Sequence, residues 1–188
     1  SASRAITGVG FQPDWLWIKS RNATYYHGMW DSVRTNKSAL YPNATDAEDT
    51  STGGTLGSLD ADGFTTLNVS GGGFINIGST TYVAWNWKAG GSASSNSNGS
   101  ITSSVSANTE AGFSIVSYTG TGSAATVGHG LSQAPEWIIA KRRNASDNWY
   151  IYNSVLGESA YIILDSTAAA VTSSSDPWNA TAPTNSVF

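Results

Sequence analysis

The sequence lacks cysteine altogether and has only one methionine, two histidines and 12% charged residues among its 188 positions. Without cysteine the chain has no disulfides, no thiolate metal site and no thiol nucleophile. No apolar run reaches the roughly 18 residues that a membrane-spanning helix needs. The first ten residues lack the basic and apolar regions of a signal peptide. Membrane insertion is therefore not expected.

Small polar residues dominate what is present: 29 Ser, 20 Thr, 14 Asn and 20 Gly. Ser, Thr and Asn compete with the helical backbone for hydrogen bonds, and Gly raises the entropic cost of a helix. The composition therefore favours short strands joined by turns. Eight Trp, eight Tyr and 39% hydrophobic residues supply enough apolar area for a folded core.

One passage occurs twice. Residues 13–23 (PDWLWIKSRNA) reappear without a gap as 135–145 (PEWIIAKRRNA), 122 positions later. The same offset relates 31–33 to 153–155 and 39–41 to 161–163. A match that keeps prolines, aromatic residues and charges in one register predicts a duplicated structural unit.

The repeat divides the chain into a first half (residues 1–91) and a second half (residues 101–188), joined by a predicted Gly/Ser/Asn linker over 92–100. The second copy has no counterpart of 82–88, so it is expected to be truncated. The chain is then either a fragment of a longer protein or one that takes strands from neighbours. Turn signals every 8–12 residues or so predict an antiparallel sandwich or barrel. We expect strands over 15–18, 25–30, 38–41, 63–69, 74–77, 81–87, 99–105, 113–118, 136–141, 149–155 and 161–164, and short helices over 43–48 and 166–171.

Few residues suggest catalysis. His27 and His129 occupy different places in the two copies, and neither lies in a recognisable catalytic motif. An acid pair for glycoside hydrolysis would have to come from scattered carboxylates of the first copy, which are Asp14, Asp31, Asp46, Glu48, Asp49, Asp60 and Asp62. An ion pair with Lys19 or Arg21 at a strand end explains Asp14 and Asp31 more simply. No cofactor is expected. The net charge of −4 and the absence of a broad basic patch also argue against a nucleic-acid partner.

Two weaker candidate sites remain. Asp60 and Asp62 alternate before a glycine, as in the opening of a calcium loop, but an ordinary Asp-Gly turn is the simpler interpretation. An aromatic surface could stack on sugars, with arginines donating to hydroxyl or acidic groups. The alternative is that the rings belong to the core or to a subunit interface. The residues of this candidate glycan or interface surface are Tyr25, Tyr26, Trp30, Arg21, Trp149, Tyr150 and Arg143.

The motifs GFQPDWLWIKSR (10–21), WDSVR (30–34) and YVAWNWKAG (82–90), with their partial copies at 117–143, resemble repeats of tailed-bacteriophage virion appendage proteins of the tail-fibre type. That resemblance implies a concanavalin- or laminin-G-like jelly roll, a two-sheet antiparallel sandwich. It also implies a virion location and a non-enzymatic role in assembly and host-surface adhesion. The implied partners are other virion proteins or further copies of the chain, with a homotrimer as one form, and a host glycan. A lectin-like module is the alternative, and a polysaccharide depolymerase is less favoured.

Overall fold

The computed structural model describes residues 3–34, 38–50, 56–67 and 73–188. Within these ranges the chain is all β and contains no helix, so the predicted all-β class with antiparallel pairing is confirmed. In chain order the strands of the described residues are β1 Arg4–Thr7, β2 Trp15–Ser20, β3 Gly28–Asp31, β4 Leu56–Asp60, β5 Gly63–Thr66, β6 Tyr82–Trp87, β7 Ser94–Asn96, β8 Ser103–Asn108, β9 Phe113–Ser117, β10 Trp137–Lys141, β11 Trp149–Asn153, β12 Ala160–Ile163 and β13 Val171–Thr172.

These strands form four antiparallel sheets. Their strand orders are β1-β5-β4, β3-β2-β6, β7-β8-β9 and β10-β11-β12-β13. The first two sheets belong to the first half, and their side chains meet in one core cluster. Leu16, Ile18 and Trp30 from β2 and β3 pack there with Leu56 and Phe64 from β4 and β5. The two sheets therefore face each other across this cluster.

The alternation along β2 explains which face is buried. Leu16 and Ile18 are 0% and 2% exposed, whereas Trp15 and Trp17 on the opposite face are partly exposed. Successive side chains of a strand point to opposite faces, so one face supplies the core cluster and the other meets the second half. There, Trp15 and Trp17 pack in a second cluster that includes Trp149 and Ile139.

The β2–β3 and β10–β11 hairpins have the same register at the offset of 122. Trp15 pairs with Asp31 and Leu16 with Trp30, while Trp137 pairs with Asn153 and Ile138 with Tyr152. The equivalence extends to the next two elements. The bridges Met29–Leu40 and Ala39–Asp49 in the first half correspond to Ile151–Ile162 and Tyr161–Val171 in the second.

The helices predicted over 43–48 and 166–171 are wrong. The Tyr41 and Ala44 carbonyls accept hydrogen bonds from the Trp149 indole, and the Thr45 carbonyl accepts one from the Asp147 amide. The first of these segments thus bonds to the second half instead of forming i→i+4 bonds. In the other, Val171 starts a strand that pairs with Tyr161.

Several predicted boundaries also differ. Residues 74–77 form a bend and not a strand, and the Ile77 amide donates to the Tyr82 hydroxyl. Part of the predicted 63–69 strand lies outside the described residues. β3 begins at Gly28, so Tyr25 and Tyr26 precede it. Within the stretch predicted as a linker, Ser94–Asn96 forms β7 and pairs with β8.

Candidate functional site

Two of the seven residues predicted for the aromatic surface lie in the core. Trp30 is 0% exposed and stacks on Phe74, with ring centroids 6.4 Å apart. Trp149 is 2% exposed, and its Nε1–H donates to the carbonyls of Tyr41 (3.0 Å) and Ala44 (3.1 Å). Neither ring has an exposed face on which a sugar could stack.

Tyr25 and Tyr26 are on the surface, 40% and 49% exposed. Tyr26 stacks on Tyr41, with centroids 4.8 Å apart and an interplanar angle of 19°. The Tyr41 hydroxyl donates to Asp49 over 2.7 Å. Burial and this hydrogen bond to a carboxylate raise the pKa of Tyr41. The tyrosine stack is therefore a neutral and partly exposed aromatic surface.

Arg21 and Tyr150 lie elsewhere. Arg21 is exposed just beyond β2, and its backbone amide donates to the Thr81 carbonyl. Tyr150 is half-buried in β11, in an edge contact with Tyr161 at 5.4 Å between ring centroids. Their described contacts share no residue with those of Tyr26 or Arg143.

Arg143 belongs to an ionic chain that crosses between the halves. Arg34 pairs through Nε with Asp31 Oδ2 (2.6 Å) and through Nη1 with Glu48 Oε1 (2.7 Å). The Arg143 Nη2 lies 2.8 Å from Glu48 Oε2. The Arg34, Asp31 and Glu48 side chains are 4%, 8% and 9% exposed, whereas that of Arg143 is 42% exposed. Only the Arg143 end of the chain therefore reaches solvent.

The protonation of Glu48 follows from its two arginine neighbours. Burial raises its pKa, but hydrogen bonds and charge interactions with Arg143 and Arg34 outweigh burial and lower it below the ordinary value. Glu48 is consequently ionised and compensated. Of its two arginine neighbours, Arg34 is also paired with Asp31, whereas Arg143 is paired with Glu48.

A shallow cleft adjoins Arg143, and we call it the polar cleft. It has a volume of about 450 Å³. Arg143 Nη1 donates to Ser117 Oγ at 3.0 Å, and the Tyr118 ring is 45% exposed. Hydroxyl groups line most of the remainder. The lining residues are Ala93, Ser94, Ser95, Thr102, Ser103, Ser104, Ser117, Tyr118, Thr119 and Arg143.

A second depression, of about 800 Å³, is lined by Asp14 and Asp31, two of the acids considered for glycoside hydrolysis. Asp14 is 3% exposed, and its Oδ2 accepts from the amides of Ala89 (2.8 Å) and Gly91 (3.2 Å). Asp31 accepts from the Val33 and Arg34 amides and from Arg34 Nε. The expected ion pairs with Lys19 or Arg21 are therefore replaced by backbone amides and by Arg34.

The two histidines also have structural surroundings. His129 is 2% exposed, its Nδ1 accepts from the Leu131 amide (3.1 Å), and its Nε2 lies 3.2 Å from the Thr184 carbonyl. This places the proton of the neutral ring on Nε2. Burial lowers the pKa of His129, although the Thr184 hydrogen bond opposes the shift. Burial and then Lys19 lower the pKa of His27.

The calcium candidates Asp60 and Asp62 form the turn between β4 and β5. Asp60 accepts from the Ser58 and Thr65 hydroxyls at 2.6 and 2.7 Å. Asp62 accepts from the Gly10 amide (2.6 Å) and the Gly8 amide (3.0 Å), and these bonds lower its pKa. Both carboxylates thus hold the turn to its neighbours. Among the described residues no group of three or more His, Asp or Glu side chains could hold a metal ion.

Comparison with known proteins gives one match. The model of the family described as "Domain of unknown function (DUF7483)" matches residues 1–188. The chain belongs to this family. It matches no curated protein and no solved structure. Within the described residues of this DUF7483 chain, no helix is long and apolar enough to cross a membrane.

Sequence reasoning found Arg143 but missed the residues around it. Arg143 and Glu48 are 95 positions apart, and Arg143 and Ser117 are 26 apart. One sequence signal could have indicated the polar cleft: Tyr118 comes directly after an apolar strand and before a Gly/Thr-rich turn. Nothing in the local sequence indicates that Arg143 packs beside it.

Proposed function

We propose that this DUF7483 chain is a non-enzymatic structural protein of a tailed-bacteriophage virion, part of a tail fibre or surface appendage. It acts in assembly and in adhesion to the host surface. The resemblance of the repeated motifs to virion appendage proteins is the reason for the location. The observation that carries the structural role is the equal pairing register of the β2–β3 and β10–β11 hairpins.

We propose further that the two halves are copies of one unit, each related to a jelly-roll sandwich. The equal register supports duplication because each of the four residue pairs of β2–β3 recurs 122 positions later in β10–β11. Equivalent turn bonds support it too: the Val33 amide donates to Asp31 Oδ1, and the Val155 amide donates to Asn153 Oδ1. The core cluster shared by the first two sheets supports the sandwich.

A structural role is supported by what the acidic residues and His129 do. Asp14 holds the chain after β6, Asp31 and Glu48 anchor Arg34, and His129 joins Leu131 to Thr184. Groups that already make hydrogen bonds to the backbone or to arginine side chains would have to give up those bonds to act as acids or bases. Breaking them would cost about 1–3 kcal/mol each.

The polar cleft favours glycan binding as a second candidate function. An exposed tyrosine ring beside hydroxyl groups and an arginine is an arrangement that suits a sugar. Because Arg143 is already paired with Glu48, the site favours a neutral saccharide over an acidic one. Host-surface glycans are the proposed ligands. Other virion proteins and further copies of the chain, as in a homotrimer, are the proposed assembly partners.

The virion proposal can be tested on particles of a phage that encodes this chain. Mass spectrometry of gradient-purified virions should detect the chain, and immunogold electron microscopy should place it on a tail fibre or another appendage. Absence of the chain from purified particles, with its presence in the infected-cell lysate, would show the proposal to be wrong.

The glycan candidate needs a separate test. A saccharide array followed by titration calorimetry should identify a neutral glycan that binds the wild-type chain. Tyr118→Ala should weaken that binding about ten-fold, because a stacked ring contributes about 1–2 kcal/mol. Tyr25→Ala is the matched control, because Tyr25 lies outside the cleft and is 40% exposed, close to the 45% of Tyr118. Equal losses for the two variants, or no saccharide response at all, would refute the cleft as the binding site.

A further inference from the structure

Strands β2 and β10 occupy equivalent positions but have different numbers of neighbours. β2 pairs with β3 on one edge and with β6 on the other. β10 pairs with β11 alone and forms the end of its sheet. Within the described residues, therefore, nothing pairs with β10 where β6 pairs with β2.

The register shows which backbone groups of β10 face the open edge. The Ser154 amide donates to the Glu136 carbonyl (2.9 Å), as the Ser32 amide does to Asp14 (2.8 Å). Hydrogen-bonded pairs alternate along an antiparallel ladder, so the even positions of β10 bond to β11. The amides and carbonyls of Trp137, Ile139 and Lys141 consequently point outward.

The equivalent odd positions of β2 are paired with β6. The Arg21 amide donates to the Thr81 carbonyl over 2.8 Å, and the ladder continues in register to Trp15 opposite Trp87. The open edge of β10 ends at Arg143, whose carbonyl accepts from the Glu48 amide. The unpaired stretch thus has the length of β6.

The side chain of Trp137 in β10 is also more exposed than its equivalent in β2, Trp15. Trp15 lies 4.3 Å from Trp87 between ring centroids, so β6 covers part of its ring. Its equivalent Trp137 has no ring contact among the described residues and is 53% exposed. The region that β6 covers in the first half is uncovered in the second.

The edge also lacks the devices that usually protect one. Natural edge strands are blunted by proline, by a bulge or by a lysine directed along the edge. β10 contains no proline, and its pairing with β11 has no bulge. Lys141 is folded back, because its Nζ donates to the carbonyls of Thr45 (2.9 Å) and Asp147 (2.6 Å). The edge is therefore open to a further strand.

We propose that the outer edge of β10 is a docking site for an extended antiparallel strand of the β6 type that a partner protein supplies. The chemistry of that strand follows from the β2–β6 pairs. An aromatic residue lies opposite Trp137, as Trp87 lies opposite Trp15. A second aromatic residue lies opposite Ile139, and a β-branched residue lies opposite Lys141. Main-chain bonds supply affinity, and the two rings supply register.

The probe for this site is a fluorescein-labelled peptide with the sequence of residues 81–88 (TYVAWNWK). It should bind the 188-residue chain with 1:1 stoichiometry in a fluorescence anisotropy titration. Amide hydrogen exchange at Ile139 and Lys141 should slow when the peptide binds. Exchange at the Trp15 and Trp17 amides, which lie in the strand already paired with β6, should not change.

Two N-methylated peptides make a matched pair. Methylation at the Val83 and Trp85 positions removes the amides that would face β10 and should weaken binding about ten-fold or more. Methylation at the Ala84 and Asn86 positions changes the outward amides and should leave binding intact. On the protein, Trp137→Ser should weaken binding about ten-fold, whereas Val155→Ser, at a residue 91% exposed elsewhere, should not.

Three results would overturn the proposal. One is no binding of the unmodified peptide at about 1 mM. Another is equal binding of the two methylated peptides. The third is concentration-dependent self-association of the chain, by light scattering, that Trp137→Ser abolishes, because the occupant would then be a second copy.

Discussion

The carboxylate of Glu48 in the first half accepts two hydrogen bonds from the guanidinium of Arg143 in the second half, 2.8 Å from Nη2 and 3.1 Å from Nε. The same carboxylate holds Arg34, which is nearly buried. Removing one partner from a buried charge pair leaves the other uncompensated, and this is usually more destabilising than the pair is stabilising. Glu48 is therefore the residue on which the ionic chain depends.

Replacing Glu48 by glutamine should lower the free energy of unfolding by about 3 kcal/mol, because the Arg34 charge then remains buried with only Asp31 beside it. Urea denaturation followed by Trp fluorescence measures the change. Arg143→Met should cost about 1 kcal/mol or less, since that side chain is partly solvated. The control is Glu110→Gln at an exposed position. If Glu48→Gln and Glu110→Gln have equal effects, the ionic chain does not stabilise the fold.

Replacing Trp149 by phenylalanine should destabilise the chain by about 3 kcal/mol. The change removes the donor to the Tyr41 and Ala44 carbonyls and leaves a cavity in the cluster between the halves. Differential scanning calorimetry measures the shift in Tm. Trp85→Phe is the matched control, because Trp85 is 43% exposed, and it should change stability by about 0.5 kcal/mol or less. A Trp149→Phe variant as stable as wild type would contradict the described interface.

Replacing Gly63 by alanine should disrupt the β4–β5 hairpin. A Cβ at this position would collide with the Ile6 backbone carbonyl of β1, and the residue has φ of +147°. Since the obstacle is backbone, relief requires strand movement, and we expect a loss of about 3 kcal/mol or more. Gly112→Ala is the comparison. Gly112 has φ of +66° but open space around its Cβ, so only the left-handed strain of about 1 kcal/mol applies. Equal losses in equilibrium unfolding would show that the β1–β5 contact is misplaced.

Stability should fall as the pH decreases from about 7.5 to 5.5. The pKa of His129 is lowered from 6.5 in the folded chain by burial, so the unfolded chain binds the proton more tightly. The contribution is complete above the unfolded pKa and is lost as the pH falls through the folded value. His27 acts in the same direction. The stabilising contribution of Glu48 is complete in this range and is lost only at lower pH, as the pH falls below 4.5 and through its lowered pKa.

Urea unfolding of His129→Gln at both pH values checks this. The glutamine amide can still donate to the Thr184 carbonyl, so the variant should fold and should show a smaller decrease in stability between the two pH values than wild type. Comparison with His27→Gln separates the two histidines. An unchanged pH dependence in both variants would mean that neither residue is linked to folding in this range.

Much of the strand pattern was predictable. Trp15 to Ile18 are apolar on both parities, which indicates a strand covered on both faces, and β2 has the core cluster on one face and the second half on the other. The β2–β3 and β10–β11 hairpins have the same pairing register at the offset of 122, while the duplication of a whole unit stays a prediction. The strand positions and the hairpin register could be predicted because both depend on the nearby pattern of apolar residues and turn residues.

The site was less predictable, for a physical reason that Trp30 and Arg143 illustrate. Trp30 was a plausible exposed ring, but it is 0% exposed, and its neighbours on β3, Met29 and Asp31, are buried too, at 4% and 6%. β3 is covered on both faces, because Trp30 packs in the core cluster and Met29, on the opposite face, packs in the cluster that includes Trp149. Arg143 gained its partners only when distant segments came together.

The sequence by itself determined the all-β class, the short-strand pattern and the absence of thiol chemistry, because composition and periodicity are local properties. Only the tertiary structure decided that 43–48 is not a helix, that Asp31, Arg34, Glu48 and Arg143 form one chain, and that one edge of β10 has no described partner. Each depends on contacts between residues far apart in sequence. Hydrogen bonds and ion pairs between distant residues compete with the local propensity for secondary structure, and in these places they outweigh it.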